Sequence, residues 1–190
     1  MPSRSGYTLV ELLVVLGLLA LVVGAALLFL TSILRGTNQS NISAEVKQNG
    51  QAVLDSLERQ IRGAKSASDM TGIAPPPGVS DWISLALSDG STMYIGCLNP
   101  TANLNGAIGT KGGSIPTSAN DFQTLTNRDP VSGINIATAN CSLSVPAPVS
   151  TLNADSVVVS FTADRAIKAP SRADFNASAQ FRTTISLRKY

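Results

Sequence analysis

The chain has 190 residues, a formal net charge of +2 and no histidine. The absence of histidine excludes Ser-His-Asp and Cys-His catalytic arrangements and the usual zinc sites, and the thinly spread Lys and Arg residues form no basic stripe for a nucleic-acid backbone. Composition divides the chain in two, because residues 12–30 are wholly apolar whereas the remainder is rich in Ser, Thr, Asn, Ala and Gly. We expect neither a cofactor nor a bound metal.

The first predicted element is a membrane-spanning helix. Residues 12–30, extended by the uncharged stretch 31–34, are long enough to cross a hydrocarbon core of about 30 Å. A cleaved secretory signal would have a shorter apolar core followed by a small-residue cleavage site, so we expect this segment to be retained, with its N-terminus in the cytoplasm. Glu11 is the one charge at the head of this run, and the next is Arg35.

An amphipathic second part of the same helix is predicted over residues 35–68. Apolar residues recur there at helical spacing, at Ile42, Val46, Val53, Leu57, Ile61 and Ala64. A continuous rod from residue 7 to about residue 65 would be roughly 90 Å long. We expect Gly36 and Gly50 to be points where this rod bends or loosens. The apolar stripe needs a cover, which the rest of the chain must supply.

The remaining residues, 69–190, are predicted to form a β-rich head. Consecutive prolines within residues 72–79 end the helix. Apolar alternation on both sides of a turn then predicts a hairpin, with Ile83, Leu85 and Leu87 before Asp89-Gly90 and Met93 and Ile95 after it. Similar alternation predicts strands over residues 155–163 and 180–189, whereas residues 98–130 show little periodicity and are predicted to be mostly loop. The expected fold class is α+β, a long helix packed across an antiparallel sheet.

Two cysteines, Cys97 and Cys141, lie beyond the apolar run. If that run carries the head across a membrane, both thiols reach an oxidising compartment in which they can form one disulfide. The alternative is two buried free thiols.

The stretch GYTLVELLVVLGLLALVVGAALLFL, residues 6–30, resembles the N-terminus of type IV pilins and of the pseudopilins of type II secretion. The resemblance implies that residues 1–6 are a leader, that a prepilin peptidase cuts between Gly6 and Tyr7, and that the new amine of Tyr7 is methylated. Tyr7 departs from the Phe more usual at this position. Because Gly6 has no Cβ, it allows the peptidase a close approach to the scissile bond.

Glu11 corresponds in this resemblance to the glutamate at the fifth mature position. The resemblance implies that Glu11 meets the N-terminal amine of a neighbouring subunit and sets the axial register of a filament over residues 7–34. The alternative is that Glu11 only complements the helix dipole, an effect of about 0.3–1 kcal/mol. Gly17 and Gly24 lie near one helix face, where they either admit close helix packing or are simply glycines of the kind common in membrane helices.

The implied function is that of a minor pilin or pseudopilin, a structural subunit without enzymatic activity. Its expected partners are the prepilin peptidase, other pilin or pseudopilin subunits and the inner membrane. The subunit would be stored in that membrane and assembled into a pilus-like or type II secretion filament, at or near the tip, in the periplasm or outside the cell. Two further stretches resemble the J-type pseudopilins and W-type minor pilins. They are residues 54–64, LDSLERQIRGA, and residues 181–190, FRTTISLRKY.

Two other functional classes are compatible with the sequence. A membrane-anchored ectoenzyme would need convergent acids, but the head carboxylates match no metal-ligand loop in their spacing; they are Asp121, Asp129, Asp155, Asp164 and Asp174. A membrane-anchored binding protein, an adhesin or DNA-uptake receptor, would contact DNA or a surface ligand through the last strand, with Arg182, Arg188 and Lys189. A solvated strand face explains these cations equally well.

Overall fold

A computed structural model describes residues 8–70, 72–146, 155–172 and 175–188. One helix and nine strands make up most of this part of the chain. They are α1 (Leu9–Arg62), β1 (Ala64–Asp69), β2 (Val79–Leu87), β3 (Thr92–Leu98), β4 (Ala107–Gly112), β5 (Gln123–Thr124), β6 (Ile134–Ile136), β7 (Ser142–Ser144), β8 (Ser156–Arg165) and β9 (Ser178–Ser186). The predicted α+β architecture, a long N-terminal helix packed on antiparallel sheets, is confirmed.

The helix ends earlier than the sequence predicted. Gly63 caps α1, and its N–H donates to the Arg59 carbonyl at 3.2 Å. The prediction that the helix extends to residue 68 is wrong, because Ala64–Asp69 forms β1, which pairs antiparallel with β2. Alanine favours a helix in isolation, but here pairing with β2 and burial of Ala64 and Ala67 override that preference.

The first sheet has the strand order β1-β2-β3-β4-β5, and all its pairings are antiparallel. The predicted hairpin is confirmed as β2 and β3, in which Ile83 lies opposite Ile95 and Leu85 opposite Met93. Gly90 has a φ of 82° in the connecting turn, a conformation that glycine adopts without steric cost.

Strand β4 lies inside the stretch predicted to be mostly loop. Its sequence, AIGTKG, contains a single large apolar residue, Ile108, so it shows no alternation. Its burial depends on one glycine within the strand, Gly109, and on one just before it, Gly106. A Cβ on Gly109 would lie 2.8 Å from Phe122, and one on Gly106 would collide with the Ile136 carbonyl. The strand is therefore fixed by close backbone packing rather than by an amphipathic pattern.

The second sheet is built on β8, with β9 along one edge and the short strands β6 and β7 sharing the other. The two strands predicted over residues 155–163 and 180–189 are confirmed as β8 and β9, with nine paired positions between them. Alternate residues of β9 face the helix, and Phe181 stacks on the fully buried Phe161 at a centroid distance of 5.1 Å.

The helix buries one seam against this second sheet, at Val46, Gly50, Val53, Leu57 and Ile61. Gly50 is not the weak point that the sequence suggested. The helix is continuous through it, and a Cβ there would lie 2.2 Å from the Phe181 ring. Gly50 is therefore a contact position at which helix and sheet approach more closely than any side chain would permit.

Candidate functional site

The N-terminal end of α1 is organised by Thr8. Its backbone is extended, and its Oγ1 accepts a hydrogen bond from the Glu11 amide at 3.3 Å. This arrangement satisfies one of the unpaired donors of the first turn. Sequence reasoning did not identify Thr8 as a cap, although Thr followed three residues later by Glu is a helix-start pattern. The cap fixes the start of the helix at Leu9, two residues after Tyr7.

Gly6 and Tyr7 lie outside the described residues, so the predicted cleavage and methylation positions stay predictions. Glu11 is described, is exposed, and lies in the first turn of α1. Among the described residues its carboxylate has no ion-pair or hydrogen-bond partner. A carboxylate in this position interacts favourably with the helix dipole, by about 0.3–1 kcal/mol. Its remaining bonding capacity is free for a group outside this part of the chain.

The half of α1 that precedes the head is apolar on every side and uncovered. Its large apolar side chains are between 48% (Ile33) and 75% (Leu9) exposed, and the strongly apolar 18-residue stretch has no buried residue. By length and composition, α1 is long and apolar enough to cross a membrane, and it is the one such helix in the described part of the chain. A helix that is hydrophobic all round is stable only in lipid or among other apolar elements. This surface therefore requires a cover from outside the molecule.

Gly17 and Gly24 are two positions without a side chain on the surface of that helix. A Cβ at either position would have no atom within 4 Å. The chain's own fold therefore places no steric requirement for glycine there, in contrast to Gly50. Their role in close packing between helices stays a prediction.

Cys97 and Cys141 form a disulfide, with their Cα atoms 6.1 Å apart. Cys97 lies in β3 of the first sheet, and Cys141 immediately precedes β7 of the second, so the bond joins the two sheets. A second link lies beside it, because the Asp81 carboxylate accepts a hydrogen bond from the Leu143 amide at 2.7 Å. The head is thus cross-linked where its sheets meet.

The described carboxylates of the head are dispersed. Asp121 caps a short turn through Thr117 and Ser118, and these hydrogen bonds lower the pKa of its carboxyl. Asp129 accepts bonds from the Val131 and Ser132 amides, which lower its pKa likewise. Within residues 8–70, 72–146, 155–172 and 175–188, no three Cys, Asp or Glu side chains are grouped as metal ligands would be. Asp174 lies outside the described residues.

The basic residues of the last strand occupy different surroundings. Arg182 is exposed on the outer face of β9, whereas Arg188 follows the strand and lines a cavity of about 520 Å³ together with Arg59 and Arg62 at the end of α1. Arg62 is paired with Glu58 at 2.7 Å. Lys189 lies outside the described residues. The structure therefore brings Arg188 to two helix arginines that sequence reasoning did not connect with it.

A family model matches the N-terminal part of the chain. Residues 1–27 match the family model described as the prokaryotic N-terminal methylation motif. The matched range contains Gly6, Tyr7 and Glu11 and ends inside the apolar half of α1. Comparisons with curated proteins and with solved structures found no match.

Proposed function

We propose, because this chain carries the prepilin-type signature of type IV pilins and pseudopilins, that it is a minor pilin or pseudopilin that is cut between Gly6 and Tyr7 and assembled into a filament. The motif implies processing by prepilin peptidase and assembly with other pilin subunits. The observation that carries the proposal is the uncovered apolar half of α1, together with the motif match over residues 1–27, which includes the proposed cleavage position.

The apolar half of α1 suits two successive environments. Burying one large apolar side chain stabilises by about 1.5–3 kcal/mol. The many exposed Leu, Val and Ile side chains therefore make it unfavourable for this half of the helix to remain in water. Lipid provides such a cover before assembly, and neighbouring apolar helices provide it afterwards. Transfer between these two environments has little hydrophobic cost, because lipid chains are as apolar as leucine. The same helix therefore serves as a membrane anchor and as a filament core.

Glu11 is proposed to give that transfer its specificity. Cleavage creates an amine on Tyr7, four residues before Glu11 in the sequence, and both groups are costly to bury alone. A Glu11 carboxylate that meets the amine of a neighbouring subunit neutralises both charges at one defined axial offset. Hydrogen bonding between oppositely charged groups also makes the contact stronger than a neutral one.

Replacement of Glu11 by Gln tests this role. We expect the Glu11→Gln precursor to be inserted and cut normally but to enter filaments about tenfold less than the parent, which corresponds to a loss of about 1.4 kcal/mol. The measurement is quantitative immunoblotting of sheared filaments against the membrane pool. Asp55→Asn is the matched control, because Asp55 is an exposed carboxylate on the head part of the same helix. Parental incorporation of Glu11→Gln would rule out the register role.

A receptor head is the second candidate, and the cavity lined by Arg59, Arg62 and Arg188 favours it. Three guanidinium groups at one end of the head are suited to bidentate recognition of phosphates. Retention of the full-length chain on immobilised DNA, decreasing steeply with added salt, would support this function. An absence of retention at low salt would exclude it.

A further inference from the structure

The head has two ends that can be assigned along α1. Phe175 lines a cavity with Ile42 and Val46, whereas Arg188 lines another with Arg59 and Arg62. We call the first the basal end, since it is the one next to the uncovered apolar half of the helix. The other is the distal end. Twenty residues of α1, about 30 Å, separate Ile42 from Arg62.

Exposed apolar side chains concentrate at the basal end. Of the five large apolar side chains that the described part of the head exposes, three lie there: Leu104 (39%), Val131 (64%) and Ile167 (38%). Val131 also lines a cavity of about 200 Å³ whose walls include Ile42, Ile134 and Phe175. We call Leu104, Val131, Ile167 and this cavity the basal patch.

Hydrogen bonds hold the three loops of the basal patch together. The fully buried Asn105 accepts from the Ile167 amide at 2.9 Å, and its side-chain amide donates to the Asp129 carbonyl. The Lys168 amide donates to the Pro130 carbonyl at 2.7 Å. Loops that are fixed in this way present their apolar side chains on a preformed surface, because the backbone is not free to fold them inward.

The charged groups around the basal patch are of both signs. Arg165 ends β8, and Lys168 and Arg172 lie with Ile167 in the segment that follows it. Arg172 lies over the Phe175 ring at 5.6 Å. The acids near these residues are Glu45, which lines the cavity, Asp129, whose carbonyl accepts from Asn105, and Asp164, which precedes Arg165 in β8. Mixed charge beside exposed apolar side chains is suited to a zwitterionic or weakly anionic interface, where long basic side chains reach phosphates.

The length of α1 determines how near the basal patch lies to a bilayer. Between Glu11 and Arg35 the helix carries no charge, and this stretch of about 36 Å accommodates a hydrocarbon core of about 30 Å. Ile42 follows Arg35 by about 10 Å along the axis, and each headgroup layer is about 5–8 Å thick. On an upright helix the basal end therefore lies about 2–5 Å beyond the headgroup layer. The ordinary tilt of a membrane helix lowers one side of the head and brings it to that layer.

We infer that the basal patch contacts the headgroup layer of the phospholipid bilayer while the subunit is held in the membrane. The inference rests on the proposed function, which places the apolar half of α1 in that membrane. The bilayer accounts for a surface that is apolar, preformed, mixed in charge and continuous with the membrane segment. Assembly would then require the basal patch to leave the lipid surface as well as the helix to leave the bilayer.

The test uses the full-length chain in phosphatidylethanolamine–phosphatidylglycerol vesicles, with one fluorescent label at a time. Both native cysteines are in the disulfide, so an introduced cysteine provides the free thiol. Val131→Cys reports on the basal patch. Ile115→Cys is its matched control, because Ile115 is similarly exposed (58%) and lies two residues after Gly113, which bonds to Thr92 at the distal end. Leu21→Cys reports insertion of the helix and is measured with lipids brominated deep in the acyl chains, because Leu21 lies about 15 Å along the axis from Glu11, near the middle of the hydrocarbon core.

Lipids brominated near the headgroup are expected to quench the label at Val131 several-fold more than the label at Ile115. A Val131→Gln plus Ile167→Gln variant labelled at Leu104→Cys should lose most of the quenching seen at Leu104→Cys alone. Quenching at Leu21 but equal, weak quenching at Val131 and Ile115 would overturn the inference while leaving the membrane anchor intact. If the label at Val131 is shielded from solvent in proportion to protein concentration and is not quenched by brominated lipid, the basal patch contacts a second copy of the chain. That result also overturns the inference. No quenching at Leu21 would contradict the proposed function itself.

Discussion

Removal of the disulfide between Cys97 and Cys141 is expected to lower the free energy of unfolding of the head by about 4 kcal/mol. The figure follows from the chain-entropy model for a cross-link that closes a loop of 44 residues. That loop runs from β3 through β4, β5 and β6 to the start of β7, and opening it increases the conformational entropy of the unfolded chain. Urea denaturation of the full-length chain in detergent, followed through the fluorescence of Trp82, measures the change. Trp82 is the only tryptophan in the sequence.

Two forms of the protein separate cross-linking from packing. Reduction of the parent with dithiothreitol breaks the bond and retains both sulfur atoms, whereas the Cys97→Ala, Cys141→Ala variant also removes buried volume. Both cysteines are buried, so we expect the double variant to be the less stable of the two. An unchanged midpoint on reduction would show that the Asp81–Leu143 contact and the core join the sheets without the bond.

Replacement of Gly50 by Ala is expected to destabilise the docking of α1 on β9. The new Cβ would lie 2.2 Å from the Phe181 ring, which is held in place by its stack on Phe161. Overpacking of this kind costs about 1–3 kcal/mol, from which the better helix propensity of alanine offsets up to about 1 kcal/mol. The midpoint of denaturation of the full-length chain should fall accordingly.

Gly36→Ala is the matched control, because a Cβ at Gly36 has no atom within 4 Å. It should leave the head unchanged or slightly more stable. A Gly50→Ala, Phe181→Leu double variant should recover part of the loss, since the smaller side chain vacates the position of the ring and the two sites are in contact. Gly50→Ala as stable as Gly36→Ala would show that helix and sheet do not approach as closely as described.

The helix seam and the hairpin could be predicted because their apolar residues recur at a regular spacing within a short stretch of sequence. Val46, Val53, Leu57 and Ile61 repeat at helical spacing, and β2 and β3 alternate around a turn that contains Gly90. Gly50 lies on the same seam, but the low helix propensity of glycine predicts a point where the helix bends or loosens. Only the position of Phe181, far along the chain, reveals that the missing side chain is the packing feature.

Other elements depend on long-range contacts and leave no such period. Strand β4 is held by backbone approach at Gly106 and Gly109, and β1 by pairing with β2 where isolated alanines would favour a helix. The basal patch joins Leu104, Val131 and Ile167 from three separate loops through Asn105. The N-terminal residues differ again, because Gly6, Tyr7 and Glu11 are recognised through resemblance and not through anything the fold requires.

The N-terminus of the mature protein is the most direct test of whether the chain is processed as a prepilin. Mass spectrometry of the membrane-extracted chain, from a host that expresses prepilin peptidase, should find an N-terminus at Tyr7 with an added methyl group on its amine. A Gly6→Val variant should accumulate as the uncut precursor, because the added side chain obstructs approach to the scissile bond. An intact Met1 in the parent protein, or a cut beyond Leu30, would show that the chain is not processed as a prepilin.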